Sequence, residues 1–216
     1  LRTDEAVRVA REARQAGAAA GLLALVSYTP LTEDEIAVHV ETVAGESGLP
    51  IVLYDNPATT HVTLTPRLAG RLARIPGVAG LKSPAPPANE VGAHLAALRA
   101  ELPPGLPVAV SVDAHAAEAL IAGADGWTSV IGGLFPAPCA ALVAAVRRGD
   151  APAARAMNAR LAPLWDLFRE FTSLRVVYAA ATLAGLTTCN PPRPILPLEG
   201  AALRRIEDVV RRLDLA

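Results

Sequence analysis

Five short apolar runs divide this chain at regular intervals: residues 22–26, 50–54, 78–82, 108–111 and 128–131. A strand that is wet on one face alternates apolar with polar residues. An unbroken run marks a strand buried on both faces, the usual condition in a parallel sheet. The runs recur about every 25–30 residues with one helical pattern between each pair, as successive βα units do. Thr3 or Asp4 caps a helix through Gln15, with Ala6, Val7, Ala10 and Ala13 on one stripe. Thr32-Glu33-Asp34-Glu35 is a capping box that opens a second helix, to about residue 47. Thr65-Pro66 begins a third, with proline at its tolerated first turn. Further helices are expected at 88–101, 114–122 and 136–148. This regular repeat predicts an α/β fold, a (β/α)8 TIM barrel rather than a doubly wound sheet.

After residue 150 the strand signals stop. Helical patterns at 151–170, 174–183 and 201–213, with a proline-rich turn at 190–197, predict a C-terminal helical extension. The domains are therefore expected to be 1–149, five βα units, and 150–216, the extension. A closed barrel takes roughly 250 residues, and the chain opens on Leu1, directly at a helix. Three βα units are therefore expected to precede it, making the strands here four to eight.

Composition narrows the partners. Hydrophobic residues make up 52%, mean hydropathy is +0.34 and the formal net charge is −1, so a large core is expected and a nucleic-acid partner is not. Apolar runs meet charge or proline well before the ~18 residues of a membrane helix. With no secretory signal, a soluble, cytoplasmic protein is expected. Cys139 and Cys189 are too few for a disulfide framework, and no metal-ligand spacing is present. No cofactor is expected.

Lys82 is the only lysine among 20 basic residues, and it ends the apolar run Gly77-Val78-Ala79-Gly80-Leu81-Lys82. Arginine keeps its proton at any workable pH, whereas a desolvated lysine can lose it and attack a carbonyl. The bland alternative is a strand-end lysine that snorkels to water. In parallel α/β folds the reactive side chains sit where strands end. Those positions hold Tyr28, Tyr54, Lys82, Ser111 to Asp113, and Ile131-Gly132-Gly133. Tyr54 and Lys82 are 28 residues apart, one βα unit, and so belong to adjacent strands. A phenol there can move protons for an imine-forming lysine.

Tyr54-Asp55-Asn56-Pro57, with Gly80-Leu81-Lys82 one unit later, resembles the dihydrodipicolinate synthase / N-acetylneuraminate lyase family. So does the run Thr128-Ser129-Val130-Ile131-Gly132-Gly133-Leu134-Phe135-Pro136. The resemblance covers nearly the whole chain, apparently lacking the family's N-terminal part. It implies a pyruvate-dependent class I aldolase on a (β/α)8 barrel, with Lys82 as the Schiff-base lysine and Tyr54 as the catalytic tyrosine. Tyr28 would be the second tyrosine, completing a neighbouring subunit's proton relay in a homo-oligomer, a dimer or tetramer. Thr59 and Thr60 would lie in the loop that selects the second substrate, and Thr128 would bind substrate. The partners implied are pyruvate or another 2-oxo acid, and an aldehyde.

Two departures qualify this. Ala58-Thr59-Thr60-His61 offers no arginine, so aspartate semialdehyde, whose carboxylate true synthases grip bidentately, is not favoured. A hydroxylated, uncharged tail is expected in its place. The family's Gly-Thr-Thr-Gly-Glu segment, which holds the pyruvate carboxylate, is absent from the chain. A sugar-acid dehydratase of the same family is the alternative within this chemistry, and a non-catalytic truncated barrel acting as a binding or assembly module is the alternative outside it. Asp113 and His115 suggest a hydrolase triad but lie two residues apart, without a nucleophile elbow. Gly132-Gly133 reads as a turn, and His39, His94, Trp127 and Trp165 as packing residues.

Overall fold

The computed structural model of the chain describes residues 2–215. Five parallel strands form one sheet in chain order: β1 (Gly21–Ala24), β2 (Ile51–Tyr54), β3 (Val78–Pro84), β4 (Val108–Ser111) and β5 (Gly126–Trp127). Between them run α1 (Thr3–Gln15, before β1), α2 (Glu33–Ser47), the single turn α3 (Pro57–Thr60), α4 (Pro66–Ala73), α5 (Val91–Glu101) and α6 (Ala116–Ile121). Then follow α7 (Pro136–Arg147), α8 (Ala151–Arg160), α9 (Ala162–Phe171), α10 (Ser173–Leu183) and α11 (Gly200–Arg212). Two compact units divide the chain. One runs through Ser111 and takes in Ala122–Thr128; the other comprises Val112–Ile121 and Ser129 onward.

The first unit carries the sheet. Its helices start where the sequence supplies caps. Thr32 Oγ1 accepts the Glu35 N–H at 3.2 Å while Glu35 Oε2 accepts the Thr32 N–H at 2.7 Å, the reciprocal pair expected. Thr65 Oγ1 accepts the Leu68 N–H at the start of α4, with Pro66 in its first turn. Gly48 ends α2 at φ +63°, a conformation that glycine adopts without a Cβ penalty. Burial alternates along the strands. Ile51 and Leu53 of β2, Leu81 and Ser83 of β3, and Val108 and Val110 of β4 are buried. Each of the apolar ones contributes about 1.5–3 kcal/mol. Val52, Tyr54, Lys82, Ala109 and Ser111, on the opposite face, are only part-buried, so burial is complete on one face rather than both.

The second unit is helical. Asp150 caps α8, accepting the Ala153 N–H at 3.0 Å. Asn158 ties α8 to its neighbours, donating to Ala114 O and accepting from the Trp165 indole N–H. Two ranges differ from expectation. The 151–170 pattern is broken into α8 and α9, with Pro163 in the first turn of the second, since proline has no N–H to continue a helix. The fifth strand is Gly126–Trp127, and Ile131–Gly133 is a 3₁₀ turn rather than strand. Asp113 is the reason. Its buried carboxylate accepts the Val130 and Ile131 N–H groups (3.1 and 2.9 Å), which diverts them from a ladder.

Candidate active site

Strand register assembles the site. Ala24 pairs with Tyr54, Tyr54 with Lys82, Lys82 with Ala109, and Ala109 with Gly126. One row therefore crosses all five strands, with a phenol and an amine at its centre and methyl groups or hydrogen beside them. The small flanking residues leave room around the amine that larger ones would fill. Lys82 Nζ lies 3.9 Å from the Tyr54 ring centroid, over its face. A cation so placed is attracted by the ring quadrupole. The Asp55 N–H donates to Lys82 O at 2.9 Å, which holds the two strand ends in register.

The loop after Tyr54 is tied at both ends. Asp55, buried, accepts the Leu64 N–H at 3.1 Å, and burial pushes its carboxyl above the ordinary range. Thr60 is also buried. Its hydroxyl lies 3.0 Å from Asn56 O and 3.2 Å from Val62 O, and accepts the Val62 N–H. That hydroxyl serves the loop backbone. Thr59 is exposed and accepts from Asn56 Nδ2 at 3.1 Å. His61 closes the turn at φ +59°.

The structure brings Tyr54 and Lys82 together and leaves Tyr28 apart. Tyr28 is 105% exposed, in the segment between β1 and α2. Thr128 directly follows β5, is exposed, and donates its N–H to Val110 O at 2.8 Å. A cavity of about 440 Å³ beside the β1–α2 segment is lined by Leu25, Ser27, Leu31, Asp34 and His39, and includes neither Tyr54 nor Lys82. Asp113 clamps the Val130 and Ile131 N–H groups, and Ser129 Oγ donates to it at 3.2 Å. Among the described residues no group of three or more His, Cys, Asp or Glu is placed to hold a metal ion. None of the described helices is long and apolar enough to cross a membrane.

One neighbour of the site went unread in the sequence. Ser83 follows Lys82, points to the buried face, and lies 3.0 Å from His94 Nε2 of α5. Burial pushes the His94 imidazole below its ordinary value of 6.5. His39 is held in the same way, with Nδ1 2.9 Å from Thr3 Oγ1 and burial lowering its pKa. The serine beside the lysine was the available signal for His94, but its partner lies 11 residues on, a pairing that only the helix–sheet contact makes.

Comparison with known proteins follows this geometry. The sequence pattern of the Dihydrodipicolinate synthetase family matches residues 1–213. The chain is 31% identical to the 4-hydroxy-tetrahydrodipicolinate synthase of Alcanivorax borkumensis, over 99% of this chain and 71% of that protein. It is 28% identical to that of Archaeoglobus fulgidus, over 99% and 72%. The crystal structure of a dihydrodipicolinate synthase from Agrobacterium tumefaciens superposes with a TM-score of 0.95 at 46% identity, covering 99% of this chain and 72% of that one. A 4-hydroxy-tetrahydrodipicolinate synthase from Methylacidiphilum fumariolicum gives 0.88 at 27%, covering 99% and 70%. One expectation is corrected by these matches. The resemblance was read as that of a chain lacking the family's N-terminal part, but the family match opens at residue 1. The strands it covers pair as one unbroken parallel ladder, β1 to β5. With a family pattern matched over almost its whole length, this chain belongs to the dihydrodipicolinate synthetase family.

Proposed function

We propose that this protein is a class I lyase that forms a Schiff base between Lys82 and pyruvate or another 2-oxo acid. The observation that carries this is the rung shared by Tyr54 and Lys82, with the only amine side chain of the chain held 3.9 Å from a phenol ring. Lys82 Nζ attacks the ketone carbon, the carbinolamine expels water, and the resulting iminium withdraws electrons from the adjacent carbon. Loss of a proton there gives an enamine, which forms a carbon–carbon bond with an aldehyde; the reverse sequence cleaves an aldol. The Tyr54 hydroxyl carries protons to and from the carbinolamine and the aldehyde oxygen. Hydrolysis of the product imine frees the lysine.

Similarity to the Agrobacterium structure supports a (β/α)8 plan, with 1–149 carrying five βα units and 150–216 a helical extension. The relatives named above are 4-hydroxy-tetrahydrodipicolinate synthases. Thr59 stands in the loop where a carboxylate-gripping arginine is expected of such enzymes, so the aldehyde here is one with an uncharged tail. Thr59 and Thr60 shape that loop, and Thr128 stands on the substrate side of the sheet. Tyr28, fully exposed, meets a second copy of the chain in a homo-oligomer.

Borohydride reduction in the presence of pyruvate tests the chemistry. The expected product is one adduct on the peptide containing Lys82, of the mass of pyruvate less water plus two hydrogens. Lys82→Ala and Lys82→Arg give none, because neither side chain forms an imine. An adduct surviving Lys82→Ala, or its absence from the unaltered protein, would sink the proposal.

A further inference from the structure

The segment from Asn56 to Val62 is a small body held together by its own bonds. Asn56 Nδ2 donates to Thr59 Oγ1 at 3.1 Å, the Thr60 N–H donates to Asn56 O at 2.9 Å, and the His61 N–H closes the turn on Pro57 O at 3.0 Å. The buried Thr60 hydroxyl joins Asn56 O to the Val62 backbone. Ala58 and Thr59 are the exposed residues of its single helical turn. A loop so bonded keeps its internal shape, and where it stands is decided at its two ends.

Asp55 holds both ends. At the entry its N–H donates to Lys82 O at 2.9 Å, so the loop departs from the strand end that carries the amine. At the exit its carboxylate accepts the Leu64 N–H at 3.1 Å, nine residues on. Leu64 is buried and directly precedes Thr65, the cap of α4, so this bond fixes where the loop ends and the helix begins. Among the described residues no other hydrogen bond ties Thr63 or Leu64 back to the sheet. The Asp55 residue is only 6% exposed, and burial pushes its pKa up even though the Leu64 bond opposes that shift. Burying a carboxylate with so little to compensate it is unfavourable, and an apolar side chain there would stabilise the fold better. Packing therefore does not account for Asp55, and none of the reaction steps uses it.

We propose that Asp55 is a positioning residue: by clamping Leu64 to the end of β2 it sets where the 56–62 loop stands relative to Lys82, and through that loop the affinity for the aldehyde. This rests on the Schiff-base reading, and on the loop meeting the aldehyde, and deepens both. Asp55 touches neither reactant and acts through the loop it anchors. Loss of the clamp leaves the loop's internal bonds and the Tyr54–Lys82 rung in place. The loop must then be ordered each time an aldehyde binds, and that ordering is subtracted from the affinity.

The test uses the whole chain with pyruvate and, as the aldehyde probe, glyceraldehyde. Asp55→Ala removes the clamp, whereas Asp55→Asn keeps an oxygen that can accept the Leu64 N–H. Asp55→Ala should raise KM for glyceraldehyde about tenfold, the order expected of one lost hydrogen bond, while kcat and KM for pyruvate each change less than about threefold. Asp55→Asn should bring KM for glyceraldehyde back to within about threefold of the unaltered protein. Borohydride trapping of pyruvate on Lys82 should be unchanged in both variants. An unchanged KM for glyceraldehyde in Asp55→Ala overturns the proposal. So does an asparagine variant that fares no better than alanine, because the charge and not the clamp then matters. Loss of trapping in Asp55→Ala, or equal losses in kcat and in both KM values, assigns Asp55 to the fold at large and also overturns it. Failure to trap in the unaltered protein overturns the Schiff-base reading itself, and trapping without turnover of glyceraldehyde overturns the aldol step on which the loop's role rests.

Discussion

An ammonium stacked on a phenol ring gives Tyr54 two separable duties. The ring face attracts the Lys82 cation, and the hydroxyl is the group that can move protons. Tyr54→Phe keeps the first and removes the second. The expected outcome is a folded protein whose pyruvate adduct forms more slowly under borohydride, while steady-state turnover falls about 10²–10⁴-fold. Intact turnover in this variant would remove Tyr54 from the proton path. On the other face of β3, His94 makes a different statement. Burial holds its imidazole below 6.5, so near and below that pH the unfolded chain binds a proton that the folded one excludes. Stability then rises with pH through this region, complete above 6.5 and lost as pH falls below it. His39 acts in the same direction. His94→Gln keeps a partner for Ser83 and loses the titration. Its Tm should therefore decline less than that of the unaltered protein between about pH 7.5 and pH 5. Parallel Tm curves would show that His94 titrates alike folded and unfolded.

Two helical glycines separate packing from propensity at the scale of elements. Gly70 lies in α4 against the end of α5. A Cβ built there would stand 2.5 Å from the Glu101 carbonyl oxygen and 2.9 Å from the Glu101 Cβ. Backbone cannot swing away as a side-chain tip can, so α4 and α5 would have to part. Gly45, in α2, has nothing within 4 Å of such a Cβ. Alanine favours a helix over glycine by about 1 kcal/mol. Gly45→Ala should accordingly stabilise the protein by up to about 1 kcal/mol, whereas Gly70→Ala should destabilise it by about 1–3 kcal/mol. Urea midpoints of the two variants check this, and a stabilised Gly70→Ala would mean that the helices can separate at no cost.

At the scale of the whole molecule, function turns on how many chains make one site. A tyrosine at 105% exposure buries none of its ring against its own chain, although a side chain of that size ordinarily gains from burial. Two-fold interfaces are the commonest way in which chains associate, and one would cover Tyr28. Light scattering at micromolar concentration should give a dimer or a larger multiple. Tyr28→Phe should lower turnover while leaving the pyruvate adduct on Lys82 intact, because only a shared proton relay loses its hydroxyl. A monomer with full activity would contradict both expectations.

The alternation of strand and helix, the parallel sheet and the pairing of Tyr54 with Lys82 were legible in the sequence. They depend on local period and on a spacing of one βα unit, and neither requires knowledge of distant contacts. The capping box at Thr32–Glu35 was legible for the same reason. What the sequence could not supply were pairings across elements. The apolar run after Thr128 was read as strand because its residues favour one, but a buried Asp113 takes its N–H groups and bends it into a turn. Val112 and His61 hold left-handed backbone conformations that their residue types disfavour, and only the surrounding chain imposes them. The bond from Ser83 to His94 arises from how a helix is laid against a strand. Local chemistry determined which elements form and where an amine and a phenol would meet. Long-range packing alone decided which polar groups are spent on the fold, because their partners lie on other elements.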